Sequence, residues 1–394
     1  LAGTARAAKP IVLGMSAAFR GPSRGLGVEL YRGSMAYFTH LNDRGGIHGH
    51  KIVLKGYDDG YNPLPAIENT IRFIEKDEVF LLYGYVGTPT VTRVLPLLQH
   101  YRDRSVYLFF PFTGAEPQRQ PPYSRFVFNL RASYKEETAG LVDHLVQVGR
   151  RRIAVFYQID AYGRSGWDGV RTALARHRLR IAGEATYRRG TPFEASLRLQ
   201  VDILRRARPD AIISVGAYAA CAAFIRDARD AGWDVPIANV SFVGSENLLD
   251  LLQRAGRQRA KDYTRGLLNS QVVPSYHNLQ WPAVREYRAF MDRYQPGPPP
   301  GLADKDYRPV RYSFTGLEGF LNAKLLAEVL RKVGPELDRR RIPAAAEALG
   351  KVNLGIGAPV SFGPHKHQGL SRVYYTEVRQ GRFVPLRDWR RWAR

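Results

Sequence analysis

The 394-residue chain has one cysteine, Cys221, so no internal disulfide can form. Cys221 sits in the small and apolar run AYAACAAFI and reads as a buried small hydrophobe rather than a reactive thiol. No apolar run approaches the ~18 residues that span a bilayer. Acidic residues are scarce, 36 against 59 basic, which gives a net charge of +23. The excess is scattered, at residues 150–152, 339–341 and the tail WRRWAR. No zinc-finger spacing, RRM-type aromatic motif or dedicated basic helix accompanies it. No specific nucleic-acid partner is therefore expected, and loose attraction to anionic lipid heads suits the charge better. Catalytic signatures are missing too: there is no HExxH, GxSxG or P-loop. GLG (25–27) and GIG (355–357) lack the third glycine and the strand context of a dinucleotide site. The pairs His48/His50 and His365/His367 fall in Gly- or Pro-marked turns without cysteine or acidic ligands, so they read as turn residues, not metal ligands. Neither cofactor nor metal is expected.

What is present is a rhythm. Strand-like runs alternate with helix-like runs, which predicts an α/β protein with mainly parallel sheets. PIVLGM, KIVLKGYDD, VFLLYGY (79–85), VYLFFPF (106–112) and RFVFNL (125–130) read as extended segments. Helices are expected between them, the first over residues 27–42. The pattern restarts at RIAVFYQ (152–158) and continues through LRIAGEATY, DAIISVG, PIANVSFVG and GLLNSQVVP. Two βα blocks of similar length predict two doubly wound lobes, and 394 residues suit two cores. Two long helices follow, near 283–294 and 314–333. QPGPPPG (295–301) between them reads as an exposed loop. The last stretch, from VSFGPHKHQG on, reads as a strand, a turn and two further strands that add to one lobe. LAGTARAAKP has neither a start methionine nor an apolar signal core, and reads as the start of a processed or trimmed chain.

Residues 43–59, DRGGIHGHKIVLKGYDD, combine a helix stop, a tight turn and a strand. Asp58 and Asp59 fall at the C-terminal end of that strand, where α/β proteins place functional loops. With Asn42 they also resemble the NxxGGIxGxxIxLxxxDD segment of the type I periplasmic solute-binding proteins of the branched-chain amino acid and amide branch. Further matches in family order are DAYGRSG (160–166), VGAYAACAAFIRDARDAG (215–232), YSFTGLEGFLNAKLLAEVLRKVG (312–334) and VSFGPHKHQG. They run from about Pro10 to Leu386.

The resemblance implies two doubly wound parallel-sheet lobes joined by three crossovers, with a ligand cleft that closes on a hinge. The crossovers are expected near Arg131, Ser275 and Asn353. Residues 1–131 and 276–352 would then form the N-terminal lobe, and 132–275 and 353–394 the C-terminal lobe. Asp58 and Asp59 are expected to shape a loop. The resemblance also implies export to the periplasm, a small-molecule ligand and an inner-membrane transporter as partner. Cleft residues are expected in loops after strands: Phe19, Tyr85, Thr88, Thr90, Phe112 and Thr113 from the first lobe. Thr88 begins a helix, so it is read either as an anion-binding hydroxyl or as an N-cap. Tyr162, Tyr218 and Glu246 match cleft residues of the second lobe, Glu246 as partner of a ligand ammonium. Arg131 and Tyr134, in FNLRASY, sit at the first crossover, with Arg131 read as a ligand contact or a hinge salt bridge. FFPFTGAEP departs from the family's small polar residues after the fourth strand. That aromatic mass suits an aromatic acid, or, as an alternative, a hydrophobic ligand such as a sterol or other lipid. An enzyme is not expected, because no nucleophile–base pair assembles.

Overall fold

The computed structural model describes residues 8–394. Five parallel strands form the first sheet, in the order β2-β1-β3-β4-β5: β1 (Ile11–Ala17), β2 (Ile52–Asp58), β3 (Leu81–Tyr83), β4 (Leu108–Phe109) and β5 (Val127–Phe128). Helices α1 (Arg24–Asp43), α2 (Pro63–Glu75) and α3 (Thr88–His100) connect the first four, and a loop with two 3-10 turns leads from β4 to β5. Parallel neighbours need such crossovers, and both faces of the sheet are covered.

The chain then leaves this sheet. α4 (Tyr134–Gln147) starts at a capping box, with Ser133 accepting from the Glu136 N–H and Glu136 from the Ser133 N–H. Next come β6 (Ile153–Gln158), α5 (Ala161–Arg176), β7 (Glu184–Tyr187), α6 (Arg198–Arg206), β8 (Ala211–Val215), α7 (Tyr218–Asp230), β9 (Ile237–Asn239), α8 (Ser245–Arg259) and β10 (Leu267–Gln271). α9 (Pro282–Tyr294) and α10 (Phe314–Val333) return to pack on α1, followed by α11 (Ile342–Glu347). Glycine makes the α1–α10 approach possible: a Cβ on Gly33 would lie 1.8 Å from the Gly316 carbonyl oxygen. β11 (Val352–Asn353) and β12 (Pro359–Val360) form a small ribbon. β13 (Tyr374–Arg379) and β14 (Arg382–Pro385) then complete the second sheet, order β14-β13-β10-β9-β8-β6-β7. These last two strands are antiparallel additions to an otherwise parallel sheet.

Two readings from sequence are corrected. VFLLYGY is a strand only at Leu81–Tyr83, because Gly84 takes φ +61° and breaks the alternation. VYLFFPF likewise is a strand only at Leu108–Phe109: Phe110 takes φ +54°, and beyond it only a single bridge joins Phe112 to Val86. QPGPPPG is a largely exposed loop, as expected, and the residues after it are tied to the first lobe. The Leu302 carbonyl accepts from Arg20 Nε at 2.9 Å, and Asp304 accepts from the Gly21 N–H at 2.9 Å. Cys221 is buried as expected, and burial pushes its thiol up to about 12.

Candidate functional site

The two sheets direct their strand ends toward a shared interface, and aromatic rings from both meet there. Phe112, after β4, lies 5.3 Å from Phe242, which follows β9 in the second lobe. Phe242 also lies 4.6 Å from Tyr162, at the start of α5, and 5.9 Å from Tyr61, after β2. Tyr134 packs on Tyr162 at 5.2 Å. All five rings are buried. The lobes are therefore closed on each other. A bond from Gln158 Nε2 to the Tyr61 hydroxyl, 3.3 Å, also crosses between them.

Arg131 stands over this cluster. Its guanidinium carbon is 4.6 Å from the Phe112 ring centre and 5.9 Å from that of Tyr134. The side chain is 1% exposed, between Glu137 of α4 at 3.4 Å and Glu318 of α10 at 3.7 Å. Nη2 also donates to the Ser241 hydroxyl. Glu137 is well satisfied, accepting from the Ser241 N–H at 2.8 Å, the Ser241 hydroxyl at 2.9 Å and the Ser270 hydroxyl at 2.5 Å. Glu318 is not: burial pushes its carboxyl up to about 7, and Arg131 only partly opposes that. The hinge ion pairs envisaged for Arg131 are thus present. Even so, its Nε and Nη1 groups have no hydrogen-bond partner among the described residues. The Tyr134 hydroxyl lies near Thr88 and Thr113 yet also lacks a well-formed bond. Buried donors left unpaired in this way each cost roughly 1–3 kcal/mol.

Thr88 is the first residue of α3, not its cap, and its hydroxyl pairs with that of Thr113 at 2.7 Å. Thr88, Thr113, Phe112, Arg131, Tyr134 and Tyr162 therefore come together. The Tyr162 hydroxyl donates to the Gly216 carbonyl at 3.3 Å.

Others fall elsewhere. Tyr85 was expected in the cleft, but the turn at Gly84 sends it under α2, where its hydroxyl meets that of Thr70 at 2.9 Å. Thr90 is spent on its own helix, donating to the Val86 carbonyl at 2.7 Å and the Gly87 carbonyl at 2.9 Å. Phe19 packs edge-on against Tyr31 at 6.2 Å, inside the first lobe. Tyr218 reaches across the lobes at another point, its hydroxyl accepting from the Gly25 N–H at 3.1 Å.

Glu246 is buried at the start of α8, not exposed. It faces the start of α10, where Oε2 accepts from the Phe314 N–H at 3.3 Å with the Tyr276 hydroxyl nearby. Its Oε1 has no partner among the described residues. Burial pushes the carboxyl up to about 8. Asp58 and Asp59 shape their loop: Asp58 accepts from the Phe19 N–H at 2.7 Å, and Asp59 from the Ser16 hydroxyl and the Tyr61 N–H, both at 2.8 Å.

Sequence reasoning did not place Tyr61, Glu137, Ser241 or Glu318 at this centre. Tyr61 carries a faint signal, two residues beyond the strand-end aspartates. Glu318 carries none, because it reaches the cluster from a helix distant in sequence.

Two lobes of this topology, closing on a buried polar and aromatic centre, define a bilobal solute-binding protein. The comparisons agree. The family model described as "Periplasmic binding protein" matches residues 10–382. The crystal structure of a possible leucine/isoleucine/valine-binding protein from Rhodopirellula baltica SH 1 is 33% identical, with a TM-score of 0.84 and 97% of each chain covered. Leu/Ile/Val-binding protein homolog 7 of Brucella melitensis biotype 1 is 24% identical over 377 residues, 91% of this chain and 86% of that protein. The chain spans only 58% of the length of an amino acid binding protein of Pseudomonas aeruginosa, at 23% identity over 225 residues, which are 56% of this chain. The chain belongs to the type I periplasmic binding proteins, in their branched-chain amino acid family. That family is periplasmic, and no helix among the described residues is long and apolar enough to cross a membrane.

Proposed function

We propose that this protein captures an amino acid or an aromatic carboxylate between its lobes and delivers it to an inner-membrane transporter. The observation that carries the reading is the distribution of unpaired buried groups. Among the described residues, donors without partners cluster at Arg131 and Tyr134, beside the hydroxyls of Thr88 and Thr113, and Glu246 is one of several buried acceptors without a partner. A carboxylate complements the first group and an ammonium the second. Hydrogen bonds to a charged group contribute roughly 1.5–3 kcal/mol each. A micromolar ligand needs only about 8 kcal/mol, so three or four such bonds suffice. Phe112, Phe242 and Tyr162 supply an apolar wall for a ring. The lobes would close about the passages near residues 131, 275 and 353.

Thermal shift against amino acids, small aromatic acids and solubilised sterols tests this. A ligand at 100 times its dissociation constant adds about 2.7 kcal/mol of stability. Amino or aromatic acids are expected to raise the melting temperature. A shift with sterols alone would overturn the reading and favour a lipid carrier on the same scaffold.

A further inference from the structure

Beside the central cluster, and sharing Thr88 with it, lies an open groove of about 820 Å³. Its walls come from both lobes: Thr88, Thr92 and Ala115 on one side, Ala161, Arg164 and Trp167 on the other. Thr88 links the groove to the cluster, since its hydroxyl pairs with Thr113 beside Tyr134. Trp167 forms a half-buried apolar wall, fixed by its indole N–H donating to Glu184 at 2.5 Å. The guanidinium of Arg164 lies 5.1 Å from the centre of that indole. Charges around the groove are otherwise balanced in pairs. Lys135 meets Glu116 at 3.6 Å, and Arg171 meets Asp168 at 2.7 Å. Arg164 has no carboxylate within ion-pair distance among the described residues, so it leaves the groove one net positive charge. Space of this size suits a ligand larger than one amino acid, as small-molecule sites run to ~300–1,000 Å³.

We propose that the ligand is elongated and diacidic, with one carboxylate in the inner cleft and a second held by Arg164 against Trp167. This rests on the inner-cleft reading above and adds the substrate's length and second charge. Arg164 then determines specificity between long and short acids. An exposed arginine on a helix surface tolerates replacement, so Arg164→Gln is expected to fold with an unchanged melting temperature.

Isothermal titration with L-phenylalanine and 4-carboxy-L-phenylalanine, and with phenylacetate and 4-carboxyphenylacetate, provides the test. The wild-type protein is expected to bind the diacid of each pair at least tenfold more tightly. Arg164→Gln is expected to remove that advantage while leaving the monoacid affinity within twofold. Monoacid binding without a diacid advantage, or equal losses for both in Arg164→Gln, would overturn the groove assignment alone. Absence of binding by all four would overturn the inner-cleft reading and this proposal with it.

Discussion

The rings of Phe112 and Phe242 lie 5.3 Å apart, one from each lobe. The contact exists only when the lobes are shut, so it belongs to the energetics of closure as well as to the wall of the site. Phe242→Ala removes the ring that touches Phe112, Tyr162 and Tyr61 together. Phe→Ala at a buried site costs about 3–5 kcal/mol. We expect a loss of that order in denaturant unfolding, and a larger ligand-free radius of gyration by small-angle scattering. An unchanged radius would show that other contacts hold the lobes shut.

Arg131 is expected to behave as a buried ion shared by two carboxylates. Arg131→Met leaves Glu137 and Glu318 without their cation, which costs about 3–5 kcal/mol. Glu137 keeps its bonds to Ser241 and Ser270, so Glu318 bears more of the loss. Adding Glu318→Gln to Arg131→Met should restore part of the stability. A double variant no more stable than Arg131→Met would show that the two side chains are uncoupled.

The buried carboxylates give stability a defined pH dependence. Burial holds Glu246 at about 8, and Glu318 and Asp59 at about 7, against ordinary values near 4. The folded state therefore keeps these protons more tightly than the unfolded state. Their contribution is complete below pH ~4, is lost as pH rises through 7 to 8, and is level above that. His40, His144 and His277 oppose the trend, since burial lowers their values below 6.5. Comparing Glu246→Gln with wild type cancels the histidines. The variant's melting temperature should fall less steeply between pH 5 and 8, and parallel curves would contradict the assignment for Glu246.

Thr88 and Thr90 separate two roles that look alike in sequence. Thr90 already donates to two carbonyls of its own segment. Thr90→Val should leave ligand affinity within about twofold. Thr88→Val should weaken it by about tenfold, the value of one hydrogen bond to a charged group. Titration of both variants with the same ligand reads the difference.

The same pair shows how far the sequence could be read. The βα rhythm, the two lobes and the helix stop at Gly45 and Gly46 follow from local chemistry, and all are visible in the chain. The structure also brings together Phe112, Arg131 and Tyr134, singled out for their place after a strand or beside a crossover, and Tyr162, singled out by its match to the family. Tyr85 was misjudged, since a single left-handed residue, Gly84, reverses which face it serves. Glu318 was invisible: it lies mid-helix, in a stretch that reads as an ordinary packed helix. Its role exists only because α10 returns to the first lobe and meets Arg131. Tertiary pairing over such distances leaves no trace in a local pattern.

Recognition of a carboxylate by Arg131 and Thr88 is tested by comparing an acid with its uncharged amide. Take the tightest carboxylate ligand from the thermal-shift panel and titrate it beside the corresponding primary amide by calorimetry. The acid is expected to bind at least about 100-fold more tightly, since the amide gives up charge-assisted bonds to Arg131 and Thr88. Equal affinities would contradict it and show that the cleft recognises the ligand by shape and apolar contact, not by its carboxylate.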